Sequence, residues 1–250
     1  MLSNEPQRVG SIEGTDACQI EFVTSGQLRA RKVVRRSNLR VTGKYPSLKE
    51  GRMVQWESTN ERDCQKLLDA CSGISGFREQ PAIITYRDGS TLKRHYPDLF
   101  VCSITGKEFW EIKSDSEAED PDISHRTALL SGRIPRLGYG YRIVLSCQIR
   151  RAPFLANANY LLRFGRRELS PLDREHIRRI FVQHGSLSWS QVHAGALGSS
   201  GRDHVCRLIL EGELAFDMSQ PISSDSVLRC IDHTHRVEPW VYQLFAANRS

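Results

Sequence analysis

The chain has 250 residues, 39% hydrophobic and 26% charged. This is the composition of a folded protein with one large or two modest domains, and it excludes a disordered or low-complexity chain. A net charge of +6 is compatible with nucleic acid or an acidic surface as partner, while no unbroken apolar run exceeds four residues, so no membrane-spanning helix is expected. Glu5 near the start, with no apolar stretch around it, gives no sign of a secretory signal. The seven cysteines form no CxxC pair and are odd in number, which suits free thiols in a cytoplasmic protein.

Residues 1–52 show little periodicity, with Gly10, Gly14, Gly26, Gly43, Pro46 and Gly51 scattered among polar residues. They read as an irregular basic lead-in packing on the next domain, with a short strand at Gln19–Val23. Within it Arg29, Arg31, Lys32, Arg35, Arg36 and Arg40 run without an acid, a patch suited to DNA backbone phosphates. The spacing of Cys64, Leu67, Leu68 and Cys71 predicts an amphipathic helix from about Ser58 to Cys71, ended by Gly73 and Gly76.

Strands are expected at Ala82–Tyr86, Thr91–Tyr96, Leu99–Ile104 and Glu108–Lys113, with turns at Asp88-Gly89 and Thr105-Gly106. A helix over Ile123–Leu137 and a buried strand over Tyr141–Cys147 complete an α/β domain with helices on a mixed sheet, assigned to residues 53–152. After Pro153 the pattern turns helical, with starts at Ser170-Pro171 and Ser188 and a third helix over Asp203–Leu210 closed by Gly212. A short strand at Leu214–Met218 follows, and residues 153–250 read as a winged-helix-like, α-rich domain.

Charge is unevenly spread. Arg133–Ile180 holds eleven arginines against Glu168, Asp173 and Glu175, whereas Glu108–Asp122 holds seven acids and one base, Lys113. Basic blocks around an acidic one suggest phosphate-binding surfaces around a site that gathers carboxylates; alternating solvated surface is the competing reading.

Tyr96-Pro97-Asp98 is followed after twelve residues by Glu111-Ile112-Lys113. In a hairpin Asp98 and Glu111 face each other, and Glu111 and Lys113 project from one face of one strand. Two carboxylates and an ammonium at a strand end are costly unless a cation joins them. Mg²⁺ suits such a place, held by one or two carboxylates with water and phosphate as its other ligands, and Lys113 would orient or stabilise hydroxide. This is equipment for phosphodiester hydrolysis.

Glu57, Glu61, Cys64 and Leu68 share one stripe of the upstream helix, so Glu61 is the expected third metal ligand and Glu57 the fallback. Ser58-x-x-Glu61 is also a capping box, in which Glu61 merely closes the helix end. His95 beside the site is a weaker candidate for a phosphate contact. His233-x-His235 is poor evidence for zinc, and Gly43-Lys44 lacks the upstream glycine of a phosphate-binding loop.

The run Arg40–Lys49, then Trp56-Glu57-Ser58, Glu61-Arg62-Asp63 and Phe77-Arg78-Glu79-Gln80-Pro81 resembles the TnsA family, endonuclease subunits of heteromeric transposases. The resemblance spans roughly Arg29–Ile231 and is strongest over Arg40–Lys113. It implies a restriction-endonuclease-like (PD-(D/E)xK) core, Mg²⁺ with Mn²⁺ able to substitute, and cutting of the 5′ ends of a mobile element in double-stranded DNA. The implied partners are a DDE-type transposase, which cuts and joins the 3′ ends, and an AAA+ regulator ATPase.

Glu61 matches the family's helix acid, Asp98 the strand acid and Lys113 the lysine. Glu111 departs from the type in which glutamine stands before the lysine, and Gln80 falls in the family's Gln-Pro element. The alternatives are a DNA-binding or assembly module with an inert acidic cluster, and a stand-alone restriction or repair nuclease.

Overall fold

The structure is a computed structural model that describes residues 10–23, 41–231 and 238–245. Arg29, Arg31, Lys32, Arg35, Arg36 and Arg40 lie outside the described residues, as do His233 and His235. The chain is a mixed α/β protein that divides into two compact units, Met1–Cys64 with Ser75–Ile149, and Gln65–Ile74 with Arg150–Ser250.

The elements from the N-terminus to residue 149 are strands β1 (Gly10–Ile12), β2 (Cys18–Phe22), β3 (Gly43–Ser47) and β4 (Arg52–Trp56), helix α1 (Thr59–Ala70), and strands β5 (Ile74–Glu79), β6 (Ala82–Asp88), β7 (Thr91–His95), β8 (Leu99–Ser103) and β9 (Gly106–Lys113). Helices α2 (Asp115–Ala118) and α3 (Pro121–Arg133), strand β10 (Gly140–Leu145) and helix α4 (Ser146–Ile149) follow. The short strand expected at Gln19–Val23 is present as β2, which pairs with β6 some sixty residues away, while the rest of the lead-in, expected to be irregular, also carries β1, β3 and the start of β4.

One sheet runs β1-β2-β6-β7 and is antiparallel throughout. The other runs β10-β9-β8-β5, with β8 antiparallel and β10 parallel to β9. The Asp88-Gly89 turn closes the β6–β7 hairpin as expected, with Gly89 at φ 59° supplying the left-handed backbone that a two-residue turn requires.

The strand at Thr91–His95 turns back into the first sheet instead of flanking Leu99–Ser103. The neighbour of β8 is β5, a strand with no signal of its own in the sequence because Gly73 and Gly76 read as a helix end. Ile74 and Phe77 of β5 are buried. A single apolar core joins Cys18, Ile20, Ile84 and Tyr86 of the first sheet to Phe100, Cys102 and Phe109 of the second and to Leu130 of α3.

The β3–β4 hairpin is fastened to β5 by side chains. Phe77 N–H donates to Glu50 Oε1 at 2.7 Å, and the Arg52 guanidinium grips Glu79 through two bonds of 2.8 and 2.6 Å, with Gln55 N–H adding a third at 3.2 Å. Burial alone raises the Glu79 carboxyl, but Arg52 and Gln55 outweigh it and hold it below its ordinary value.

The remaining elements are helices α5 (Phe154–Phe164), α6 (Pro171–His184), α7 (Trp189–His193), α8 (Gly201–Glu211) and α9 (Trp240–Phe245), and strands β11 (Ser186–Ser188), β12 (Leu214–Ala215) and β13 (Val227–Cys230) in an antiparallel sheet ordered β11-β13-β12. Ser170 caps α6, Ser188 forms a capping box with Gln191, and Gly212 ends α8 at φ 82°, as their sequence signals anticipated. The strand expected at Leu214–Met218 stops at Ala215, because Asn157 Nδ2 holds the Met218 and Gln220 carbonyls and takes that segment away from the ladder. Val205, Cys206, Leu208, Ile209 and Leu210 of α8 are buried, while its Arg202 pairs with Asp203 and its Arg207 with Glu211. Among the described residues no helix is long and apolar enough to cross a membrane, and all seven cysteines are free thiols.

Glu79→Gln should cost about 2–3 kcal/mol in urea unfolding at pH 7, less than a fully buried pair because the Arg52 side chain keeps 30% exposure. Glu79 is more acidic folded than unfolded, so its contribution is complete above its ordinary value of 4.5 and is lost as pH falls through the folded value. The stability gap between wild type and variant should therefore close in acid; a gap unchanged at pH 3 would contradict this role.

Candidate active site

The candidate residues gather at the start of β8 and the end of β9. Leu99 pairs with Trp110, so one step further along the ladder Asp98 stands opposite Glu111. There the backbone pairing gives way to a side-chain bond, Ile112 N–H donating to Asp98 Oδ2 at 2.7 Å. No described residue donates to the other Asp98 oxygen. Burial, followed by the charges of Glu111 and then Glu61, pushes the Asp98 carboxyl well above its ordinary range, against the pull of Lys113 and the Ile112 N–H.

Glu111 is in the opposite condition. It is buried, yet Lys113 Nζ lies 2.9 Å and Arg126 Nη2 2.6 Å from its Oε1, while His95 Nε2 lies 2.5 Å from its Oε2 and the Tyr141 hydroxyl donates to the same oxygen at 3.1 Å. Burial raises the Glu111 carboxyl, but His95, Lys113 and Arg126 outweigh it and hold it far below the usual range. Burial lowers Lys113, and Glu111 and Asp98 more than restore it, so the ammonium stays charged. Burial and then the charge of Glu111 raise the Tyr141 hydroxyl, which remains a donor.

Glu61 closes the cap of α1. Its carboxylate accepts from Glu57 N–H at 2.9 Å and from the Ser58 hydroxyl at 3.1 Å, and its own N–H donates to Ser58 Oγ at 3.1 Å. Burial raises its carboxyl and the two cap bonds lower it; Lys113 also acts on it, so it lies within electrostatic reach of the site. Glu57 is held by Gln80, whose Nε2 donates to it. Gln80 in turn gives its backbone N–H to the Asp98 carbonyl at 2.9 Å from a left-handed backbone, φ 41°, and leaves its Oε1 buried without a partner among the described residues.

Sequence reading placed Asp98, Glu111 and Lys113 together and did not anticipate Arg126 or Tyr141. Tyr141 stands two residues before Ile143, the partner of Glu111 in the parallel β9–β10 ladder, so it shares a face with Glu111. The only sequence signal for it was its place in a buried strand after a crossover helix. Arg126 carried none.

The acidic block around the site is mostly spent elsewhere. Glu108 pairs with Arg142, Glu117 boxes the start of α2, Asp120 caps α3, and Asp115 binds Ser146 and the Cys147 N–H. Part of the arginine-rich block is likewise paired with acids. Arg136 pairs with Asp16, Arg174 with Glu211 and Glu213, and Arg178 and Arg179 with Glu175. The competing reading, alternating charged surface, therefore holds for most of the acidic block and for the paired arginines.

Among the described residues no group of three or more His, Cys, Asp or Glu is arranged to hold a metal ion. Asp98 and Glu111 are the residues that would hold a hard divalent cation. One Asp98 oxygen accepts from no described residue, Glu111 opposite it would have to release one of its four donors, and one or two carboxylates suffice where water and phosphate complete the shell. No family model and no curated protein matches the chain.

Glu111→Gln would leave Lys113 and Arg126 without their buried counter-charge, and should cost about 3 kcal/mol in urea unfolding at pH 7 with EDTA present. A loss below about 0.5 kcal/mol would show that the donors around Glu111 contribute little to the fold.

Proposed function

We propose that the chain is a metal-dependent DNA endonuclease acting in the cytoplasm as the TnsA-like subunit of a heteromeric transposase, cutting at the 5′ ends of a mobile element. The observation that carries this reading is the opposition of Asp98 and Glu111 across β8 and β9, with Lys113 on the same face of β9 as Glu111. With β6 and β7 assigned to the other sheet and the short α2 set aside, the elements of the β10-β9-β8-β5 sheet and its helices run α1, β5, β8, β9, α3, β10, and this succession of helix, three strands, helix and strand supports a restriction-endonuclease-like core. The order α6, β11, α7, α8, β12, β13 supports a winged-helix-like module beyond it.

In this reading Asp98 and Glu111 would hold Mg²⁺, or Mn²⁺ in its place, with Glu61 or Glu57 nearby as a third acid. When bound, the metal supplies charge neutralisation at the scissile phosphate and makes a water more acidic. Lys113, kept charged by Glu111 and Asp98, aims a donor at the attacking oxygen or at the phosphate. Tyr141 and His95 fix the orientation of Glu111 through its Oε2. Gln80 sets both the Asp98 backbone and Glu57, which ties the strand acid to the entrance of α1. Substrate phosphates would be gathered by Arg29, Arg31, Lys32, Arg35, Arg36 and Arg40. The arginines of α8 are paired with Asp203 and Glu211, so a protein partner for its exposed side stands beside a DNA one.

A second reading, a DNA-binding or assembly module with an inert acidic cluster, is favoured by the four donors already on Glu111 and by the cap that Glu61 closes. A stand-alone nuclease would cut without partners.

Cleavage of element-end duplex DNA, with and without a DDE-type transposase and an AAA+ regulator, separates the three across a Mg²⁺ series. Asp98→Ala, Glu111→Ala and Lys113→Ala should abolish cutting while duplex binding is largely retained; full cutting by these variants would sink the nuclease reading. Replacing the six basic residues from Arg29 to Arg40 by Gln should weaken duplex binding and flatten its dependence on salt, each lost phosphate contact reducing the slope by about 0.9. An unchanged slope would remove that segment from the interface.

A further inference from the structure

Arg126 stands on α3, apart from the strands and the helix end that carry the acids. Its Nη2 donates to Glu111 Oε1 at 2.6 Å, while its Nε is buried and has no partner among the described residues. A buried donor without an acceptor costs about 1–3 kcal/mol, and such groups are uncommon enough to need a reason.

Glu111 cannot supply the missing acceptor. Lys113 shares Oε1, and Tyr141 and His95 take Oε2, so its two oxygens are already filled, a carboxylate offering about four acceptor sites. Any further ligand of Glu111 must displace a donor. Arg126 is the one placed to leave. Its side chain is 24% exposed, against 18% for Lys113 and 8% for His95, and a long helical side chain swings away more easily than groups set in paired strands. Once displaced, a planar guanidinium with five donors matches two oxygens of a phosphate.

We propose that Arg126 contacts substrate directly, exchanging its bond to Glu111 for the non-bridging oxygens of a DNA backbone phosphodiester. This rests on the reading of the site as a place for DNA phosphate. The exchange links two events, since the charge that balances Glu111 in the free protein is released to the phosphate when Glu111 takes another partner.

The experiment follows the Arg126 Nε–H resonance of the full chain by NMR, assigned by its loss in Arg126→Lys, during titration with a short DNA duplex in Ca²⁺. Cleavage by wild type, Arg126→Gln and Arg126→Lys is measured in parallel with Mg²⁺ or Mn²⁺, in the presence of a DDE-type transposase and an AAA+ regulator. The resonance should shift saturably, and Arg126→Gln should lose about 10²–10³ in cleavage rate, the range for removal of one donor to a developing charge, with part regained in Arg126→Lys. A resonance that stays fixed while duplex binds overturns the inference, as does a chain that takes up no duplex. Wild-type cleavage by Arg126→Gln overturns it and leaves the nuclease reading standing. A saturable shift with no cleavage under either metal supports the phosphate contact and overturns the nuclease reading instead.

Discussion

A carboxylate buried at the end of β9 organises this protein. Glu111 is only 2% exposed, and an unpaired charge at that depth would cost several kcal/mol. Its compensation comes from four places in the chain, His95 at the end of β7, Lys113 on its own strand, Arg126 on α3 and Tyr141 on β10. The first sheet, the second sheet and the crossover helix therefore meet at one electrostatic point as well as in the shared apolar core. The parallel register of β9 and β10 is part of this, because a one-residue slip would turn Tyr141 to the other face.

Asp98 and Glu111 form an asymmetric pair. His95, Lys113 and Arg126 hold the Glu111 carboxyl below its ordinary range, whereas burial and then the charge of Glu111 hold that of Asp98, across the ladder, above it. A structural ion network could be expected to serve both carboxylates. One satisfied and one deprived carboxylate, sharing Lys113 as neighbour, is an arrangement that a cation and a phosphate can complete, and perturbed acids of this kind concentrate where chemistry is done.

The charge blocks show how little a linear tally of charges predicts. Acids from Glu108 to Asp120 cap helices or bind arginines, and arginines from Arg136 to Arg179 find acids from Asp16 to Glu213. Arg136, Arg142 and Arg174 find acids distant in sequence, so part of the local excess of one sign disappears on folding. The run from Arg29 to Arg40 is set apart by holding no acid within itself.

The sequence by itself determined what depends on neighbouring residues. The Asp88-Gly89 hairpin, α1, the Ser170 and Ser188 caps and the Gly212 stop all follow from backbone conformations that particular residues favour. Asp98 facing Glu111 follows from strand alternation and a short connection. Tertiary structure alone decided that β7 leaves the second sheet and β5 joins it, and that Arg126 and Tyr141 reach Glu111. Those contacts span 15 and 30 residues of sequence, and that of Tyr141 with His95 spans 46. No helical or strand period extends that far. They exist because burying the apolar faces of two sheets forces Glu111 inward, where its charge must draw donors from whatever elements the core brings beside it.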